Sequence, residues 1–272
     1  MLRRLLKDKS AVVCVAFIVV VMAAGLLADT VPLNNPNKVN VLAKLQAPSF
    51  AYPLGTDHLG RCTLARLVHG IRLTIFLSLL TMCCTIALGS AVGLLSGYFR
   101  GRVDEVVMRV CDVMLSFPSQ VMILAVVGVL GPGMMNVVAA NILIKWAWYG
   151  RMIRSSVIRY GEKGYVLFSK VSGTGAPYIV FRHLLPGVAS ELLVLASLDM
   201  GWVILNISTL SFLGLGVQAP TAEWGAMLNE AKDVMVRAPL QMLVPGVAIM
   251  TVVAAFNMLG DSLRDALDPK TV

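Results

Sequence analysis

The chain has 272 residues, 57% of them hydrophobic and only 14% charged. Soluble domains carry roughly 25% charged residues, so there is too little polar surface here to cover a globule in water. The formal net charge of +8 therefore reports which loops face the cytoplasm rather than an acidic partner. A mean hydropathy of +0.79 excludes a secreted disulfide scaffold, a soluble enzyme and a nucleic-acid-binding domain. No alternating ten-residue segments mark an outer-membrane barrel. What remains is an all-α polytopic membrane protein, long enough for six spans of about 20 residues each.

In chain order, Arg3, Arg4 and Lys7 precede an uncharged run over 11–28. That run is longer than the apolar core of a signal peptide, so residues 1–28 read as a cytoplasmic tail and a retained first span. Residues 29–72 form an outer loop with four prolines. Its first half is extended, and 59–72 is expected to form a helix leading into the second span. Residues 73–272 are a five-helix transmembrane core, with spans at 73–95, 114–130, 134–149, 188–210 and 241–259. Gly131-Pro132-Gly133 forces a turn between the third and fourth. With the N-terminus in the cytoplasm, 15 Lys and Arg fall inside and seven outside, which places both termini in the cytoplasm. The five cysteines include no C-x-x-C pair, so neither a zinc site nor a disulfide framework is indicated.

Two extramembrane segments exceed simple connectors. Residues 221–237 follow Pro220 and read as an amphipathic outer helix with Trp224, Met227, Leu228, Ala231 and Met235 on one face. It is either a helix resting on the membrane surface or a gate and contact for a partner, through Glu223, Trp224, Lys232 and Arg237. The cytoplasmic loop 150–186 reads as two short helices broken at Gly173-Thr174-Gly175. Tyr165, Val166, Leu167, Phe168 and Val171 set apolar side chains on a basic loop. That combination suits either a docking surface or a helix on lipid headgroups.

Tyr165-Val166-(x)6-Gly173-(x)8-Arg182-His183-Leu184-Leu185-Pro186 resembles the cytoplasmic loop of importer-type ABC permeases. Leu167-Phe168-Ser169-(x)3-Gly173 stands where that family has Glu-Ala-Ala-(x)3-Gly, so the Glu is missing. Leu54-Gly55-Thr56-Asp57-His58-Leu59-Gly60-Arg61, Val103-Asp104-Glu105, Ser116-Phe117-Pro118, Glu223-Trp224-Gly225 and Gly260-Asp261-(x)2-Arg264-Asp265-(x)2-Asp268-Pro269 resemble the dipeptide/oligopeptide/nickel branch. Trp146-Ala147-Trp148-Tyr149 and Leu198-Asp199-Met200-Gly201 look most like its nickel permease subunits. The resemblance implies a type I importer permease fold in a bacterial inner membrane. It also implies a second homologous permease, two ABC ATPase subunits docked on the coupling loop (Tyr165, Val166, Leu167, Phe168, Ser169, Gly173, Arg182, His183, Pro186) and an external substrate-binding protein. No phosphate-loop motif is present. The chain should therefore bind no cofactor and hydrolyse nothing, with ATP and Mg used by the partner ATPases.

Charges at membrane depth are the informative path residues. Asp199 falls near the middle of the fifth span. It either pairs with a group on another helix or lines the pore and attracts a cation or metal chelate. Lys145 either snorkels past Trp146 and Trp148 or serves such a site. The 15 methionines are scattered as packing residues, His58 and His69 lack ligand spacing, and no metal ligand set emerges. The substrate expectation is nickel or a metal chelate, with di- or oligopeptides as the alternative. A membrane hydrolase lacks a span histidine, and a stand-alone channel needs no long cytoplasmic loop.

Overall fold

The computed structural model describes residues 8–267. Arg3, Arg4 and Lys7 of the basic tail, and Asp268, Pro269 and Lys270 of the C-terminal motif, lie outside the described residues. Among the described residues the chain is all-helical. We number α1 Lys9–Leu26, α2 Thr63–Phe99, α3 Gly101–Ser116, α4 Ser119–Leu130, α5 Met134–Gly161, α6 Gly164–Val171, α7 Ala176–Phe212, α8 Trp224–Ala231 and α9 Leu240–Leu267. A π turn at Arg72–Phe76 joins the extramembrane start of α2 to its apolar length. A second one, Ile179–Leu184, does the same for α7.

Helices α1, α2, α7 and α9 are long and apolar enough to cross a membrane. The expected span at 114–130 is instead broken. Helix α3 ends at Ser116 and α4 leaves it at 90°. Pro118 explains the break, because the residue before a proline is forced out of the helical region and Phe117 is extended (φ −104°, ψ 148°). Hydropathy missed this, since neither Ser116 nor Pro118 interrupts the apolar run with a charge. Helix α3 also occupies what reads in sequence as a loop. Helix α5 has 28 residues, about 42 Å at 1.5 Å per residue. Its length suffices for a span, but Lys145, Arg151, Arg154 and Arg159 interrupt its apolarity. The six expected spans thus resolve into four apolar helices, one bent pair and one helix with a polar stripe.

The polar stripe fits because α5 is wrapped by its neighbours. Glycines recur every fourth residue on α2, at 89, 93 and 97. A Cβ at Gly93 would lie 2.6 Å from the Gly150 carbonyl oxygen, and one at Gly89 would lie 2.5 Å from the Tyr149 Cβ. Small residues at this spacing let two helix backbones approach. Contact pairs rise together in number along both helices, so α2 and α5 run parallel. At one end Asp104 of α3 accepts from Arg154 Nη2 (2.6 Å) and is also bonded by Ser96. Beside it, Glu191 of α7 accepts from Ser156 Oγ and Arg159 Nη2, each at 2.5 Å. These ties fasten α3 and α7 to α5. The cap of α1 uses the same economy at the other end. Arg72 donates to the carbonyls of Gly25 (2.8 Å) and Leu26 (3.0 Å) and to Asp29 (2.7 Å), where helix carbonyls lack partners and a cation is favoured.

Candidate functional site

Three groups of the residues singled out by sequence fall at three levels of the bundle. At mid-depth, Asp199 of α7 is not a free carboxylate. Lys145 of α5 reaches across to it, with Nζ 2.6 Å from Oδ1 and 2.5 Å from Oδ2. Tyr149, one helical turn on, donates its hydroxyl to Oδ2 at 2.7 Å. The ammonium also lies 3.5 Å from the Trp202 ring centroid. The snorkelling geometry for Lys145 is therefore overturned: an ammonium at this depth is better satisfied by an ion pair and an indole face than by a stretched stem. Lys145 and Asp199 stand 54 residues apart in sequence, so no local pattern announced the pair. The only advance signal was the depth of each charge.

The pair is nonetheless not sealed. Its side chains keep 12% and 18% of their surface and border a cavity of about 210 Å³. Trp148 and Trp202 form its aromatic wall, and Met114, Leu115 and Ser119 border it on either side of the Pro118 break.

At one end, α6 forms part of the loop expected to dock a partner or rest on lipid headgroups. Val166 is buried, while Tyr165, Leu167, Phe168 and Val171 are exposed, Phe168 at 73% and Val171 at 88%. Gly173 closes the helix with φ +74°, a conformation open to glycine and costly for residues with a Cβ. His183 holds α6 against the root of α7. Its Nε2 lies 3.1 Å from Ser169 Oγ, and its ring sits edge-on to Tyr165 and Tyr178. Arg182 and Pro186 are exposed. The second short helix expected here is the first part of α7, and the loop narrows to residues 162–175 because α5 continues to Gly161.

At the opposite end, the outer group divides. Lys232 and Arg237 are exposed. Glu223 and Trp224 are buried, at 0% and 2%, and so cannot meet a soluble partner directly. Glu223 caps α8: its carboxylate accepts from Ala226 N (2.8 Å) and from Thr74 Oγ1 (3.0 Å). Burial pushes this carboxyl above its ordinary range, against the opposing hydrogen bonds. Trp224 donates its indole N–H to the Leu67 carbonyl at 2.8 Å. Glu230 of α8 turns inward. It accepts from Arg61 (2.5 Å) and Arg66 (3.0 Å), both 1% exposed. Asp57 accepts from Arg61 Nε at 2.6 Å. Two cations and two carboxylates thus neutralise one another and tie the outer loop to α8. Asp57, His58 and Glu230 bring ligand-type atoms within 4.8 Å of one another, but both carboxylates are already committed to the guanidinium groups.

Residues 89–272 match the family described as "Binding-protein-dependent transport system inner membrane component". The chain is 45% identical over 269 residues to the metal-staphylopine import system permease protein CntC of Staphylococcus aureus, covering 99% of this chain and 93% of that protein. It is 43% identical over 238 residues to the nickel transport system permease protein NikC of Escherichia coli, covering 88% and 86%. A dipeptide transport system permease protein DppC from Alkalihalophilus pseudofirmus is 37% identical over 268 residues, covering 98% and 88%.

Proposed function

The chain belongs to the family of binding-protein-dependent transport system inner membrane components, the permease subunits of ABC importers, and from that premise we propose that it forms half of a pore for nickel or a metal chelate. It is a multi-pass inner-membrane protein and not itself an enzyme. A second homologous permease completes the pore, and two ATPases dock on the two coupling loops and use ATP and Mg. An external binding protein delivers the substrate. Both termini face the cytoplasm, and α5 and the bent α3–α4 pair complete six crossings. The alternative cargo is a di- or oligopeptide, supported by the dipeptide-permease relative; the higher identities to the metal-staphylopine and nickel permeases favour the metal.

The observation that carries the reading is the face of α6. An eight-residue helix is marginal alone, and this one presents Leu167, Phe168 and Val171 to solvent beside a glycine break. An apolar patch on a basic loop calls for a protein cover. When the ATPases close on ATP, α6 follows and moves the attached α5 and α7, which carry Lys145 and Asp199.

Two measurements on the full complex in proteoliposomes test this. Gly173→Asp should abolish ATP-driven uptake while the permease remains inserted; normal uptake with normal ATPase co-purification would remove the docking assignment. Uptake of radioactive nickel–histidine chelate and of labelled dipeptide, each with the binding protein present, decides the cargo. Dipeptide uptake without nickel uptake would overturn the metal reading.

A further inference from the structure

We propose that the Lys145–Asp199 pair is a selective site for dipolar solutes: it holds a carboxylate against Lys145 and a positive centre against Asp199, and it does not hold a free metal cation. This rests on the importer reading above and specifies the form in which cargo passes mid-depth. The positive centre is a chelated divalent cation in a metal complex or an ammonium in a short peptide, and the shared chemistry is the separation of charge.

The cavity is electrically neutral. Lys145 and Asp199 are the titratable groups on its wall, and they stand in contact at 2.5 Å. A free divalent cation approaching Asp199 meets the ammonium at almost the same distance, so attraction and repulsion nearly cancel. The carboxylate has also already accepted bonds from Lys145 and Tyr149. To bind a cation it would have to give up the lysine, leaving an ammonium unpaired at membrane depth, which is costly. A dipolar solute avoids that loss. It exchanges one internal ion pair for two intermolecular ones, and every charge keeps a partner. The Tyr149 hydroxyl stays on Asp199 and holds it in place. Trp148 and Trp202 border the same space and offer flat faces to the solute's apolar or cationic parts. The partial exposure of both charged side chains leaves cation and carboxylate alike open to exchange, whereas in the outer cluster both guanidinium groups are 1% exposed.

The test is equilibrium dialysis of the tag-free permease–ATPase complex, without binding protein. The probes are free radioactive nickel, its histidine chelate and a labelled dipeptide. Wild type should retain the chelate or the dipeptide over free nickel. Lys145→Met leaves the Asp199 carboxylate uncompensated, so it should invert the preference, shifting the ratio of chelate to free nickel by about tenfold or more, as expected for removal of one partner of a charged pair. Lys145→Met with Asp199→Leu keeps the site neutral and should retain neither. A purely structural pair predicts instead that retention per assembled complex is equal in all three proteins, and that result overturns the proposal. If the single variant does not assemble, the neutral double variant decides alone: chelate and dipeptide retention equal to wild type overturns the site. Retention of the dipeptide but not the chelate at the pair would support the dipolar site while counting against the nickel cargo.

Discussion

Two helices of eight residues stand at opposite ends of the molecule, α8 at Trp224–Ala231 and α6 at Gly164–Val171. Helix α8 has a side-chain cap from Glu223, and five of its residues are buried. Helix α6 has no side-chain cap, and Val166 alone is buried. Neither helix is long enough to be stable by propensity. The first is held by its own chain, through Thr74, Leu67 and the Arg61–Arg66–Glu230 cluster. The second is held at one edge by His183 and Ser169 and leaves an apolar face uncovered. The same local motif, a short amphipathic helix between two long ones, is therefore packed down at one end and left with an open apolar face at the other. What separates them is the cover of the apolar face, supplied by the chain itself for α8 and not supplied by the described residues for α6.

The largest losses of stability are expected at the α8 end. Trp224→Ala should cost about 3–5 kcal/mol, the range for emptying a buried aromatic site, because the side chain is 2% exposed and its N–H is bonded. Glu223→Ala should cost about 1–2 kcal/mol through the lost cap alone, and more because Thr74 loses its acceptor. Both should appear as lower yield and a lower melting temperature of the solubilised chain. An unchanged melting temperature in Trp224→Ala would show that α8 is not anchored to α2.

The contrast was only partly legible in sequence. Both short helices, Gly173 as a break and the helical start of the second span follow from turn residues and periodicity. Glu223 and Trp224, expected at an outer gate or a partner contact, are buried, because amphipathic periodicity identifies an apolar face and not what covers it. A capping carboxylate and a partner-seeking one look alike until Thr74, 149 residues away, is placed beside it. Asp199 and Lys145 are similar: hydropathy gives the depth of a charge and not its direction around the helix. The glycines at 89, 93 and 97 are legible in the sequence as a close-packing stripe. The break at Pro118 was visible in the letters but hidden in the hydropathy sum.

At the open end the expected pattern reverses. Phe168→Asp places a charge on a side chain that is 73% exposed, so the isolated chain should lose no more than about 0.5 kcal/mol, as for other surface substitutions. Loss should appear in the assembly. An aspartate at the centre of an apolar docking face stays desolvated without a partner, and this should weaken ATPase association by about tenfold or more. Co-purification of the ATPases with unchanged stoichiometry would make α6 a membrane-surface helix of the kind its basic flanks permit.

The smallest effect belongs to the charges that α8's end leaves outside. Lys232 and Arg237 are exposed, and the salt bridges and hydrogen bonds that fix α8 use neither of them. Reversing either one should leave the melting temperature unchanged within the scatter of surface substitutions. If the binding protein seats on this end, opposite charges across the contact act chiefly on the rate of encounter. Lys232→Glu and Arg237→Glu should then slow uptake at limiting binding protein and low ionic strength, and the deficit should shrink as salt shortens the screening length or as binding protein becomes saturating. A deficit that ignores both salt and binding-protein concentration would place the fault inside the permease, and α8 would then be a gate rather than a landing surface.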